Sequence, residues 1–264
     1  MATSCRPAPP RSIRPSRRGS TTCSAWWDRV ADRPARRGLV FANGEVATRD
    51  VLDAAWPGWD ADIAFVIAAD GGARQAAALG VRLDAWIGDG DSLSEAELQA
   101  LEVSGVGVQR LSPDKDETDA ELALLAAIEA GVSDVTILGA LGGTRIDHAL
   151  ANLALLAHPA LVGREARILG EGGIRISLVT APGPDGVPVE RRLEGRPGDV
   201  VSLLPLFGRV EGVATDGLRY PLRDEPLEVG PARGVSNVRL GPSAVVRVRT
   251  GRLLIVETPV NLVE

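Results

Sequence analysis

Carboxylates recur beside glycines at four places in this chain where an apolar run gives way to a helical pattern. The first is Asp70-Gly71-Gly72, directly after the run 63–69. Paired glycines let backbone N–H groups approach an anion, and a following helix adds the positive end of its dipole. The second is Gly88-Asp89-Gly90-Asp91-Ser92. Two carboxylates one glycine apart can converge on one hard cation such as Mg²⁺, which takes oxygen ligands and leaves part of its shell to substrate phosphates. The third, at 113–119, holds Lys115, Asp116 and Asp119. Thr118 and Glu121 fit a capping box there. Lys115 is the one lysine among 29 basic residues, so a compact point charge stands where every other basic position uses a guanidinium. It is suited to neutralise a phosphoryl group, with Asp116 or Asp119 facing the metal. In the fourth cluster, 139–148, glycines turn the chain into Arg145, Asp147 and His148. The fork of Arg145 suits phosphate oxygens, with Asp147 to orient it. His148 reads best as a helix-surface or packed histidine, since His158 is the only other one.

Each cluster alone also reads as a turn, with Asp70 as a helix N-cap and Ser92 or Ser94 capping the next helix. Together, Asp70, Asp89, Asp91, Asp116, Asp119 and Asp147 predict an acidic, glycine-lined cleft for a magnesium polyphosphate.

Regular elements must hold these clusters in register. Apolar runs at 39–42, 63–69, 85–87, 106–111, 135–138 and 166–169 read as strands, and helical patterns at 49–55, 73–79, 94–103, 118–130 and 146–157 lie between them. That alternation predicts an α/β domain over 38–170 with a mainly parallel sheet covered on both faces, whose ligands gather at the C-terminal strand ends. Beyond Gly170, strand patterns at 174–180, 187–193, 199–205, 210–214, 235–240, 244–248 and 253–257 are separated by Gly and Pro. They predict a C-terminal all-β sandwich over 171–264. Residues 1–37 carry nine Arg, two acids, five Pro and eight Ser or Thr without apolar periodicity, and read as a disordered basic tail. That segment holds +7 of formal charge, which leaves −13 for the remainder of a chain whose net is −6.

Composition excludes several functions. Lys115 lies between Asp114 and Asp116, so there is no Gly-Lys-Ser/Thr for a P-loop. An acidic chain with nine aromatic residues is a poor nucleic-acid platform. No apolar run approaches the roughly 18 residues of a membrane helix. Cys5 and Cys23 form no CxxC pair, so neither zinc nor a disulfide framework is expected, and a reducing cytoplasm is.

The motifs in their order resemble the thiamine pyrophosphokinase family. An Asp-Gly-Gly turn, a GDxDS loop, a KDxTD helix start and a glycine-rich turn into R-x-D-H appear as 70–72, 88–92, 115–119 and 139–148, and Asn43-Gly44 resembles the family's N-terminal motif. Segments 202–206, 217–222 and 234–237 extend the likeness to residues 38–257. The resemblance implies transfer of a pyrophosphoryl group from ATP to thiamine, giving thiamine diphosphate and AMP. It also implies an α/β catalytic domain, a β-sandwich that binds thiamine, and a homodimer with thiamine at the subunit interface. Residue by residue it implies Asp70, Asp89, Asp91 and Asp116 as the Mg²⁺ and phosphate-positioning acids, with Asp119 nearby. Asn43, Gly71, Gly72, Ser92, Asp147 and His148 would complete the ATP side, while Ser236 and Asn237 would line the thiamine pocket. Asp70, Asp91 and Asp116 stay open as general base, and Lys115 and Arg145 add positive charge. Two positions depart from the family pattern: Thr144 stands between Gly143 and Arg145, and Val238 follows Asn237 where an acid is common. A pyrophosphokinase for a pterin, a dehalogenase-like phosphatase and a non-catalytic nucleotide or thiamine sensor are the competing readings.

Overall fold

The computed structural model describes residues 37–182 and 187–260. The basic tail, apart from Arg37, lies outside them, and Cys5 and Cys23 lie there with it.

Apolar side chains point both ways along the strands of the first half, as a sheet buried on both faces requires. β1 (Arg37–Phe41) sends Val40 to one face and Leu39 and Phe41 to the other. In chain order follow α1 (Arg49–Ala55), β2 (Ile63–Ala69), α2 (Gly72–Ala78), β3 (Ala85–Gly88), α3 (Glu95–Val103), β4 (Gly107–Arg110), α4 (Asp119–Glu129), β5 (Asp134–Leu138), α5 (Ile146–Ala154) and β6 (Glu165–Leu169). The six strands pair in parallel in the order β4-β3-β2-β1-β5-β6. Ala123, Leu124 and Ala127 of α4 pack on one face against Phe65, Ile67 and Ile137. On the other face Leu52, Ala76 and Leu98, from α1, α2 and α3, pack with Trp86 and Leu138. Strand order reverses between β1 and β5, and the loops diverging there open a crevice, the place where ligands of such sheets bind.

A short turn joins β6 to β7 (Arg175–Pro182), with Gly172 and Gly173 at positive φ and the Gly170 N–H donating to the Ile174 carbonyl at 2.8 Å. So short a connection can only produce an antiparallel neighbour. Arg167 accordingly pairs with Ser177. Sheet bonding therefore runs through residue 170 into the β-rich half, a mixed sheet where two separate ones were expected. The remaining strands are β8 (Val189–Glu194), β9 (Val200–Leu204), β10 (Val210–Asp216), β11 (Glu225–Leu227), β12 (Asn237–Val238), β13 (Ser243–Val248) and β14 (Thr250–Thr258). β10 meets β14 at Glu211 and then β13 from Ala214 onward, turning a corner at Gly212. Val179, Val201, Leu203, Leu253 and Ile255 on one side of that corner share a core with Leu193, Val213, Val246 and Val248 on the other.

Arginines line a cavity of about 450 Å³ beside α1, two of them, Arg175 and Arg196, reaching from the β-rich half to α1 and its following residue. Arg37 donates to the carbonyls of Gly58, Trp59 and Ala61, and Arg167 to Asp134 and Thr136. Arg175 pairs with Glu257 and lies 3.8 Å above the Trp56 ring, while Arg196 donates to the Ala54 carbonyl. These guanidiniums are engaged with partners inside the fold, which makes the cavity wall a set of cross-links.

Candidate active site

The crevice at the sheet reversal is a cleft of about 720 Å³. Asn43 and Gly44 after β1, Asp70 after β2, Asp89, Asp91 and Ser92 after β3, the 115–119 segment before α4 and Gly139 after β5 all line it. Arg145 and His148 close one side. All four clusters thus reach the cleft, because each follows a strand of one parallel sheet, but the fourth brings Arg145 and His148 while its Asp147, expected in the wall, is not among the lining residues and pairs with Arg145 instead. The walls carry six carboxylates (Asp70, Asp89, Asp91, Asp116, Glu117, Asp119) against Lys115 and Arg145. Such a surface repels a bare polyphosphate and accepts one that arrives with cations.

Close packing sets the entrance. A Cβ at Gly44 would lie 2.3 Å from the Leu141 carbonyl oxygen and 2.5 Å from that of Gly139, and one at Gly71 would lie 2.0 Å from Asn43 Oδ1. Glycine is what lets these loops approach. Asn43 Nδ2 donates to Ser92 Oγ at 3.4 Å, Ser92 Oγ donates to Asp91 Oδ1 at 2.9 Å, and the Asp91 N–H donates to Asp89 Oδ1 at 3.0 Å. This chain of bonds orients the GDGDS loop. Ser94 caps α3, in a full capping box with Glu97.

Asp70 does not cap α2. Gly71 is the N-cap residue and makes no side-chain cap bond, so the Asp70 carboxylate is released into the cleft. Carboxylate oxygens of Asp70, Asp89 and Asp91 lie within 4.8 Å of one another. Asp70 Oδ1 is buried without a hydrogen-bond partner. Burial, contact with Asp119 and the charges of Asp89 and Asp91 push its pKa up to about 7. Three convergent oxygens, one of them an orphan, fit a hard divalent cation that would relieve the mutual repulsion.

Asp116 lines the same cleft, is exposed and stands outside this triad, whereas Asp119 reaches Asp70. Lys115 Nζ lies 2.9 Å from Asp119 Oδ1. Burial works against its ammonium, but Asp119, Asp89 and Asp70 outweigh that and hold its pKa above the ordinary lysine value. Lys115 is therefore a charged counter-ion inside an acidic wall. Thr118 caps α4 by accepting the Glu121 N–H at 3.2 Å, and the Glu121 carboxylate turns to His158 Nε2 at 3.4 Å.

Arg145 forms a bidentate pair with Asp147, at 2.9 and 2.6 Å, on the exposed first turn of α5. That guanidinium holds the Asp147 carboxyl well below the usual range. His148 is exposed at the side of the cleft, on the helix surface rather than packed. Gly71 and Gly72 are buried at the start of α2, where a Cβ on Gly72 would meet the Phe41 carbonyl oxygen at 2.2 Å.

Ser236 and Asn237 are not among the residues lining this cleft. Ser236 is exposed at positive φ. Asn237 is buried, its Oδ1 accepting the N–H groups of Tyr220 and Val238 and its Nδ2 donating to the Tyr220 carbonyl. It staples the 217–222 segment to β12.

Three residues belong to the site without having stood out in the sequence. The Trp86 indole donates to the Asp70 carbonyl, Asn152 Nδ2 donates to the Ala140 carbonyl from inside the cleft wall, and Glu45 accepts the Gly143 N–H. Neither Asn152 nor Trp86 was readable: α5 exposes Ile146 and Leu150 and buries Asn152, against its apolar pattern, and a strand tryptophan reads only as core.

The chain is similar to known proteins along most of its length. Among solved structures, thiamine pyrophosphokinase from Bacillus subtilis superposes with a TM-score of 0.71 at 22% identity, covering 84% of this chain and 99% of that one. Thiamin pyrophosphokinase from Candida albicans reaches 0.65 at 16% identity, over 90% and 92%. In sequence, the curated Bacillus subtilis thiamine pyrophosphokinase is 25% identical over 171 residues, 65% of this chain and 76% of that one. The family model for the thiamin pyrophosphokinase catalytic domain matches residues 59–168, and the model for its vitamin B1 binding domain matches 188–255. With both models met in order over two thirds of its length, and the acidic cleft inside the first, the chain belongs to the thiamin pyrophosphokinase family.

Proposed function

We propose that the chain transfers the terminal pyrophosphoryl group of ATP to the hydroxyethyl oxygen of thiamine. The oxygen attacks the β-phosphorus, the bond from that phosphorus to the α,β-bridging oxygen breaks, AMP leaves, and the hydroxyl proton passes to a carboxylate. The observation that carries this reading is the acidic triad at the sheet reversal, within a chain matched by both the catalytic and the vitamin B1 binding models.

Asp70, Asp89 and Asp91 would hold Mg²⁺, with Asp119 against Asp70 and Asp116 at the rim. The bound ion supplies charge neutralisation across the transferring phosphates. The chain's own part is positioning, which is most of what phosphoryl transfer asks of a protein. Lys115, kept charged by Asp119, faces the phosphates, and Arg145, aimed by Asp147, adds a fork of donors at the rim. Asn43 and Ser92 fix the loop bearing Asp91. Asp70, Asp91 and Asp116 remain the groups placed to take the hydroxyl proton.

Ser236 and the 217–222 segment held by Asn237 are assigned to thiamine. Since they do not line the acidic cleft of their own chain, a homodimer that brings them to the partner's cleft satisfies both halves of the site. On the family likeness, the cytoplasm is the compartment proposed for the reaction. Among the described residues no helix is long and apolar enough to cross a membrane.

Purified protein given ATP and Mg²⁺ should release AMP with thiamine and not with a hydroxymethyl pterin. AMP release with the pterin alone would reassign the acceptor, and tight nucleotide binding without turnover would make the chain a sensor.

A further inference from the structure

Asp70 sits at φ +46, a left-handed conformation that few non-glycine residues adopt, although Asp does so more readily than most. Its carboxylate is not what holds it there. Oδ1 has no hydrogen-bond donor, Asp119 holds the carboxyl only through a proton the two acids share, and the nearby cation, Lys115, is paired with Asp119. Once ionised, the side chain is pushed away from Asp89 and Asp91, the other two members of the triad. The backbone of Asp70 is instead hung from β3. Its N–H donates to the Ile87 carbonyl at 3.0 Å, and its carbonyl accepts the Trp86 indole N–H at 2.8 Å. Trp86 is fully buried between the sheet and α1–α3, so the indole is a fixed donor. Gly88 completes the seat: a Cβ there would lie 2.0 Å from Asp70 Oδ1 and 2.9 Å from Trp86 Cζ2.

We propose that Trp86 is a positioning residue for the metal site, its indole N–H locking the Asp70 backbone so that the carboxylate stays with Asp89 and Asp91 over the gap left by Gly88. The proposal rests on the assignment of Asp70 as a cation ligand. It explains why a β3 side chain with no access to substrate carries the one polar group its ring offers to the end of the neighbouring strand.

The test reads cation binding by the full chain without ATP or thiamine, by calorimetry with Mg²⁺ and by electron paramagnetic resonance with Mn²⁺. Trp86→Phe keeps the ring and removes the donor. The affinity of the folded variant should fall about tenfold, the scale at which outer-shell partners of metal ligands act. Its kcat should return to within a few-fold of wild type at saturating Mg²⁺, because the cation itself then draws Asp70 back. Loss of packing alone would lower stability without this split. Gly88→Ala crowds both the carboxylate and the indole edge of this seat, and should weaken Mg²⁺ to a similar degree, so the seat is still tested if Trp86→Phe does not fold. Wild-type cation affinity in either folded variant would overturn the proposal. Asp70→Asn separates the two layers: if it binds Mg²⁺ like the wild type, the ligand assignment itself has failed.

Discussion

Asp70 concentrates unfavourable features in a single side chain. It is partly buried, with one oxygen lacking a partner, crowded by like charge and set on a left-handed backbone, a conformation that alone costs about 1 kcal/mol or more. Such local conflict is expected where function has overruled stability. Asp70→Asn removes the charge while keeping a residue that tolerates positive φ, so the metal-free variant should melt above the wild type by differential scanning calorimetry and have lost its turnover. Asp91→Asn, in the GDGDS loop, should cut AMP release by two or more orders of magnitude with unchanged circular dichroism, on the order of what one charge-stabilising group contributes. Near-normal Mg²⁺-dependent turnover would remove Asp91 from the site. What the sequence could not disclose at this scale was orientation. Lys115 stood out by composition alone, but its partner Asp119 and the outlying place of Asp116 depend on the turn that precedes α4.

Helix starts do double duty at the level of elements. Ser94 and Thr118 both cap helices behind acidic loops, yet only Thr118 caps the helix whose first residue, Asp119, touches Asp70 and Lys115. Ser94→Ala and Thr118→Ala should each lower stability by about 1 kcal/mol in urea melts. Only Thr118→Ala should also depress kcat, by roughly tenfold if the helix start acts as an outer support of the metal site. Equal kinetics for the two variants would show that the α4 cap is structural only. Elements of the first half were legible to the residue at 49–55 and 63–69, where periodicity and flanking turn residues agree. In the second half β11 went unseen, because Glu-Pro-Leu carries no alternation. The run 235–240 shrank to Asn237–Val238, since the asparagine spends its side chain stapling a loop. The continuation of the sheet past Gly170 depended on glycine conformations that a sequence pattern leaves open.

At the level of the whole molecule, the acidic cleft makes stability depend on pH and on cations together. The Asp70 pKa is raised to about 7 from a value of 3.8, so folding favours the protonated form. Its contribution to stability is fully present below pH 4 and is lost as pH rises through 7. Stabilisation by Mg²⁺, which binds the ionised form, should therefore be larger at pH 8 than at pH 5, read as a shift in melting temperature. Equal shifts at both values would detach Asp70 from the cation. Separation of Ser236 and Asn237 from the acidic cleft has its own consequence. If two subunits share each site, specific activity should fall on dilution in step with dimer dissociation in sedimentation, and a monomer of full activity would contradict that arrangement. The most direct test of the chemistry is phosphorus NMR of wild-type protein turning over ATP, Mg²⁺ and thiamine. AMP and thiamine diphosphate should grow in equal amounts with no ADP, whereas ADP with thiamine monophosphate, or no phosphorylated thiamine at all, would contradict pyrophosphoryl transfer.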